Sequence, residues 1–263
     1  MMTTYKRILF ICALFIFITV KINAEETSPM VKLDNIADDV LQLTKLQRYD
    51  DAKNSLAIFE KEFNHITSDT SPFTMDELRV LTSVHHQATE AVTSVNMDHE
   101  ERVNKATTFR LVMDSFISQH QPLWSEMENP VMSAFSQLKT AASHGDHDTY
   151  HYFLQHFLEK YEIIEPVLKL NMEVETFQSL DAKIIFIEKY TNSLHGDNAL
   201  AEQLNNLEED LHQIFDAESE DSSDPSLLFV IGITGSIIIL TLSYVSWRKY
   251  KGQKRKQREK HKD

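Results

Sequence analysis

Four histidines, His144, His147, His151 and His156, fall close together and are interleaved with Asp146 and Asp148. His147 and His151 are four apart, so on a helix their imidazoles share one face. Two neutral imidazoles a turn apart, with a carboxylate, are a set that binds a divalent cation. His144, His147 and His151 are therefore the metal candidates. The plainer reading of the same stretch is a polar turn where exposed His and Asp cost nothing, and no third ligand is dictated by the spacing. His85 and His86 are adjacent, which on a helix turns them to different faces. The segment His99-Glu100-Glu101-Arg102-Val103 begins like a zinc-protease motif, which needs a second His at the fifth position, and Val103 stands there.

No Gly-rich phosphate loop, no Gly-x-Ser-x-Gly elbow and no cysteine nucleophile occurs between the two ends of the chain. A non-catalytic role is the expectation, with a metal-binding sensor or a metal-dependent enzyme at His144, His147 and His151 as the alternative. No cofactor is expected.

Charges placed inside apolar stripes are the second signal. Arg110 and Asp114, one turn apart, sit beside Phe109, Val112 and Met113, and Arg79, Arg102, Glu126 and Glu128 have similar settings. Such residues form intrahelical pairs of a few tenths of a kcal/mol, or they converge in a polar seam between helices, where an unpaired buried charge is too costly to persist. Arg79, Arg102, Arg110 and Glu126 are the candidates for such a seam or for receiving a partner. Trp124, in His120-Gln121-Pro122-Leu123-Trp124, is either an interface anchor or a core residue.

The elements that position these residues are nearly all helical. Gly145 and Gly196 are the only glycines between residues 25 and 225, and apolar residues recur at three and four rather than at two. Leu33, Ile36, Ala37, Val40, Leu41 and Thr44 form one stripe, Gln47-Arg48-Tyr49 interrupts it, and Ala52, Leu56, Phe59 and Phe63 begin another, which reads as a helical hairpin. Pro72 breaks the chain, and Thr74 with Glu77 makes a capping box before Leu78, Leu81, Val84, Ala88 and Val92. Asp98 to His120 supplies a fourth helix with Val103, Phe109, Val112, Met113 and Phe116 inward. A short turn around Leu123-Trp124 stops at Asn129-Pro130, where Asn caps and Pro opens the helix Val131 to Ala142.

His144-Gly145-Asp146 and His195-Gly196-Asp197 repeat one device, in which Gly ends a helix and Asp caps the next. Tyr150, Phe153, Leu154, Phe157 and Tyr161 mark one further helix, Phe177 to Leu194 another, and Leu200 to Phe215 the last before an acidic linker. The expected fold is all-α: an irregular antiparallel bundle of roughly eight helices in hairpins. Tyr49-Asp50-Asp51-Ala52 with Leu56 and Phe59 matches the second helix of a tetratricopeptide unit, but the two Gly turns lie fifty-one residues apart, not thirty-four, and no full consensus recurs.

The ends of the chain set its address. Leu227 to Trp247 runs twenty-one residues without a charge, and Arg248 to Asp263 then carries nine Lys or Arg. A helix of that length rises about 31 Å, enough to cross a bilayer, and the basic flank stays on the cytoplasmic side. Lys6 and Arg7 precede an apolar run from Ile8 to Val20, and Ala24 offers a cleavage point, as in a secretory signal peptide; an uncleaved anchor is the alternative. Ile11 is too large for Cys12 to read as a lipoprotein site. Cys12 is the chain's single cysteine, so no disulfide supports the mature region.

The boundaries are then 1–24 signal peptide, 25–215 extracytoplasmic helical domain, 216–225 acidic linker, 226–247 transmembrane helix and 248–263 basic cytoplasmic tail. Residues 25–225 hold 14 Lys plus Arg against 38 Asp plus Glu, a net of −24, whereas the tail from Arg248 nets +7. That acidity argues against a nucleic acid as partner, because phosphate contacts need clustered Lys and Arg. The expected contacts are membrane lipid, through 226–247 and the tail, where each basic residue contributes about 1 kcal/mol, and another protein through the acidic domain.

Several runs carry a likeness: Leu78-Arg79-Val80-Leu81-Thr82, Glu90-Ala91-Val92-Thr93-Ser94-Val95, His99-Glu100-Glu101-Arg102-Val103, Phe109-Arg110-Leu111-Val112, His120-Gln121-Pro122-Leu123-Trp124 and Glu126-Met127-Glu128-Asn129-Pro130-Val131-Met132. With the signal, helical domain and terminal anchor, the sequence resembles the YpjB family of sporulation proteins. The match is most distinctive over residues 78–142. The resemblance implies an endospore-forming Gram-positive bacterium and a role in sporulation, and it brings no reaction, ligand or catalytic residue.

Overall fold

The computed structural model describes residues 28–69, 72–118, 122–144, 146–190, 198–221 and 225–259. The signal-peptide stretch, Gly145 and the His195-Gly196-Asp197 turn lie outside them. Among the described residues the chain is helical with no strand, and it forms two compact units, 1–117 and 118–263.

Unit 1 holds α1 (Pro29–Lys45), α2 (Tyr49–Asp69), α3 (Met75–Thr93) and α4 (His99–Ser115). Each helix packs on its neighbour in the chain and α4 closes back on α1, so the four form a ring around one core. The stripe that opens α1 buries Leu33, Ala37, Val40, Leu41 and Thr44. Phe59 from α2 meets Phe109 from α4 edge-on at 4.8 Å and stacks on His85 of α3 at 5.4 Å, geometries that add to the gain from burial alone. His85 also shares a 3.0 Å hydrogen bond with the Leu56 carbonyl while His86 is exposed, so the adjacent histidines face apart.

The α1–α2 turn is tighter than its sequence announces. Gln47 adopts φ 60°, its N–H donates to Thr44 O at 2.9 Å, and the Arg48 N–H reaches Leu43 O at 2.9 Å. This is the Schellman arrangement normally given to glycine. A side chain in the left-handed region costs about 1 kcal/mol. Gln47→Gly is therefore expected to raise the stability of unit 1 by up to about 1 kcal/mol, read as a higher urea midpoint.

α3 begins with the capping box expected from sequence: the Thr74 hydroxyl accepts from the Glu77 N–H, and the Glu77 carboxylate accepts from the Thr74 N–H at 2.6 Å. Thr74→Ala should cost about 1 kcal/mol in urea unfolding. α4 differs from the others. Residues 108–114 are all buried, including Thr108, Arg110 and Asp114, so this helix has no fully solvated face over two turns and its charges must find partners inside.

Unit 2 holds a 3-10 turn (Leu123–Met127), α5 (Glu128–His144), α6 (His147–Asn171), α7 (Val174–Glu188), α8 (Asn198–Asp221) and α9 (Pro225–Glu259). α5 to α8 form a second ring, α8 closing on α5, and the 3-10 turn packs on α5, α6 and α8. Phe135 of α5 meets Phe157 of α6 at 5.1 Å, and Trp124 meets Phe215 of α8 at 5.6 Å. Ion pairs Lys139–Glu208 and Lys183–Asp210 tie α5 and α7 to α8. The Tyr150 hydroxyl donates to the Ile187 carbonyl at 2.9 Å between α6 and α7, and burial pushes this phenol's pKa up.

Several boundaries move from those expected. The 3-10 turn runs straight into α5 at Glu128, so Pro130 sits inside the first turn and Asn129 is no cap. Asp146 does cap α6, accepting from the Asp148 N–H and the Thr149 hydroxyl, which holds its carboxyl below the usual range. α6 continues through Pro166 to Asn171. A proline in a helix costs about 3 kcal/mol through a lost hydrogen bond and a clash, and the burial of Ile163, Ile164, Val167 and Leu168 around it offsets this. α7 begins at Val174 and ends at Glu188, and α8 runs six residues past Phe215 into the acidic stretch.

α9 is 35 residues long. Its stretch Ile231–Tyr250 is long and apolar enough to cross a membrane, and none of it is buried inside the molecule.

Candidate interaction site

Within unit 1 the three sequence-predicted arginines do not meet in one place. Arg79 lies exposed on the first turn of α3 and pairs with Asp76 at 3.0 Å. Both side chains are more than three-quarters exposed, so the pair contributes little.

Arg102 is buried in the first turn of α4 and acts as a clamp on the α3–α4 loop. Its guanidinium donates to Ala91 O at 2.6 Å, Ser94 O at 2.7 Å and Met97 O at 2.9 Å. Those carbonyls belong to the open C-terminal end of α3 and the loop beyond, where no helical N–H remains to satisfy them. The guanidinium carbon also stands 4.6 Å from the Tyr49 ring centroid, and the Tyr49 hydroxyl shares a 2.9 Å hydrogen bond with His99 Nδ1. The planar fork thus ties α2, α3 and α4 together.

Arg110 is buried against α1. It donates to Asp34 Oδ1 at 2.7 Å, with Asp38 at 3.6 Å and Asp114 at 3.7 Å. Burial raises the Asp34 carboxyl above its ordinary value, opposed by the attraction of Arg110 and reinforced by Asp114 and Asp38. The bonds of these arginines are separate: Arg79, Arg102 and Arg110 each serve a different set of partners within unit 1. Glu126 and Glu128 belong to unit 2, where Glu126 is exposed on the 3-10 turn.

His144 ends α5 and donates through Nδ1 to Thr140 O at 2.7 Å. His147 and His151 share a face of α6 with ring centroids 6.4 Å apart, as their spacing predicts, and all three are exposed. Asp146 is committed to the helix cap. Among the described residues no three His, Cys, Asp or Glu side chains gather as metal ligands would.

Trp124 is 2% exposed and is packed into unit 2. Its indole also forms part of the wall of a cavity of about 550 Å³, a size typical of ligand and anchor sites. Leu168 from α6, Met172 just past its end, Thr176, Ser179 and Leu180 from α7, and Gln213 and Ile214 from α8 complete most of the wall. Glu173, Glu175 and Asp210 bring charge to it. Asp210 is already paired with Lys183, whereas Glu173 and Glu175 are exposed and have no ion-pair partner among the described residues. The Trp124 Nε1–H is buried without an acceptor among them. Sequence reasoning singled out Trp124 and missed the cavity, whose wall comes from four separate elements.

A model of the family described as Sporulation protein YpjB (SpoYpjB) matches residues 30–259. The chain is 31% identical over 255 residues to the protein called "Uncharacterized protein YpjB" in Bacillus subtilis (strain 168), an alignment that covers 95% of this chain and 97% of that relative. No solved structure matches the chain.

Proposed function

We propose, from the premise that the chain belongs to the sporulation protein YpjB family, that it is a membrane-anchored, non-catalytic interaction module of spore formation. In this reading residues 25–215 stand outside the cytoplasmic membrane, α9 crosses the bilayer once, and the basic tail remains in the cytoplasm. The observation that carries it is α9. Both helical units enclose their apolar stripes, yet Ile231–Tyr250 leaves Ile237, Ile238, Ile239, Leu240 and Leu242 more than half exposed. Lipid is the solvent that suits such a surface, and the nine basic residues from Arg248 onward hold that end on the cytoplasmic side.

The acidic helical region then serves to hold another protein near the membrane. Support comes from the buried arginines, which are bonded internally and stiffen unit 1, and from a cavity in unit 2 of a size that accepts a side-chain anchor.

Protease added to protoplasts of sporulating cells is expected to digest the helical region while an epitope on residues 248–263 stays intact. Protection of the helical region overturns the topology. Crosslinking in the same cells is expected to attach a second protein. A metal retained stoichiometrically at His144, His147 and His151 through purification would replace this reading with a metal-dependent one.

A further inference from the structure

We infer that the cavity beside Trp124 is a docking groove for a protein segment that carries an aliphatic or aromatic anchor flanked by lysine or arginine. The inference rests on the interaction-module reading above and narrows it to one face of unit 2.

Two observations define the occupant. The wall includes the buried apolar side chains of Trp124, Leu168 and Leu180 with Ile214 half-buried, and a volume of about 550 Å³ exceeds what one small side chain fills. At the mouth stand Glu173 and Glu175, exposed and without a basic partner among the described residues, while the charge of Asp210 is already met by Lys183. An apolar anchor with cationic neighbours answers both features, and an acidic peptide, anionic headgroups or a nucleic acid would be repelled.

The chain also limits where the occupant is presented. Ala217, the last residue of the wall, precedes Pro225 by eight residues, a span of at most about 29 Å. With α9 in the bilayer, the groove lies close to the membrane surface, and the partner segment must be displayed there.

The probe is a pair of helix-forming peptides with an identical Leu/Phe face, one flanked by Lys and one by Glu. The full chain carrying Trp247→Phe is placed in phosphatidylcholine nanodiscs, so that Trp124 is the sole tryptophan. The Lys peptide is expected to shift Trp124 emission saturably and the Glu peptide to leave it unchanged. Glu173→Lys with Glu175→Lys should weaken the Lys peptide about tenfold, and Ser179→Phe, placed on an exposed position of α7, should fill the groove and abolish the shift with helicity unchanged by circular dichroism. Equal responses to the two peptides, no response to either, or full binding by Ser179→Phe would each overturn the groove. In sporulating cells, loss of the crosslinked protein in the Ser179→Phe strain supports it. A crosslink that survives Ser179→Phe removes the groove and leaves the interaction module standing, whereas no crosslink in the parent strain removes the module itself.

Discussion

Arg110→Met is expected to lower the unfolding free energy of unit 1 by about 3–5 kcal/mol. Arg110 stands within 3.7 Å of three carboxylates, and its own side chain is only 11% exposed. Removing it takes the Arg110 cation away from Asp34 and Asp114, at 22% and 8% side-chain exposure. A thioether fills most of the space, so the loss measures charge rather than volume. Asp34→Asn in the same chain should recover part of it, because fewer buried charges are then uncompensated. Urea unfolding followed by circular dichroism gives the size, and a loss below about 1 kcal/mol would show that water already solvates the cluster.

The same cluster sets a pH dependence. Asp34 titrates above its ordinary range in the folded chain, mainly through burial. For a carboxyl shifted upward, the contribution to stability is fully present below the unfolded pKa and is lost as pH rises through the folded one. Removing Arg110 takes away the attraction that opposes this shift and enlarges it. The gap between the parent chain and Arg110→Met is therefore expected to narrow as pH falls from neutral into the carboxyl range.

Arg102→Lys is the second large effect, expected to cost roughly 2–3 kcal/mol despite keeping the charge. One ammonium cannot reach the carbonyls of Ala91, Ser94 and Met97 at once, as the planar guanidinium does. At least one of those carbonyls is left without a donor in a partly buried site. Hydrogen exchange should show the loss locally, as faster exchange across residues 91–98 and the start of α4 with α1 little changed. Uniform exchange throughout unit 1 would mean that Arg102 supports the whole ring rather than the loop.

Legibility in the sequence followed the range of the interactions. The capping box at Thr74 and Glu77 spans three residues, and the stripe from Leu33 to Thr44 lies on one helix, so both could be read directly. Arg110 could not. Its neighbour Asp114 is visible one turn on, but its shortest bond goes to Asp34, seventy-six positions away. α4 hides its role for the same reason: Arg102, Arg110 and Asp114 stand out in the sequence as charges inside apolar stripes, but the partners that hold them lie on other elements. Gln47 stands where a glycine normally announces a left-handed residue, and Pro166, a residue type that usually ends a helix, lies inside α6 because the packing around it overrides that tendency. The cavity beside Trp124 was illegible because its wall is assembled from the 3-10 turn, α6, α7 and α8, no one of which has a pattern pointing to it.

The division of the chain into successive rather than interleaved units also orders its birth. α1 packs first on α2 but must wait for α4 before its inner face is fully covered, since Asp34 bonds to Arg110. Once residue 117 has been synthesised, however, nothing further along the polypeptide is needed to complete that ring. The first half can reach its native topology while the second is still being made, and this shortens the interval during which Phe59 and Phe109 are open to aggregation.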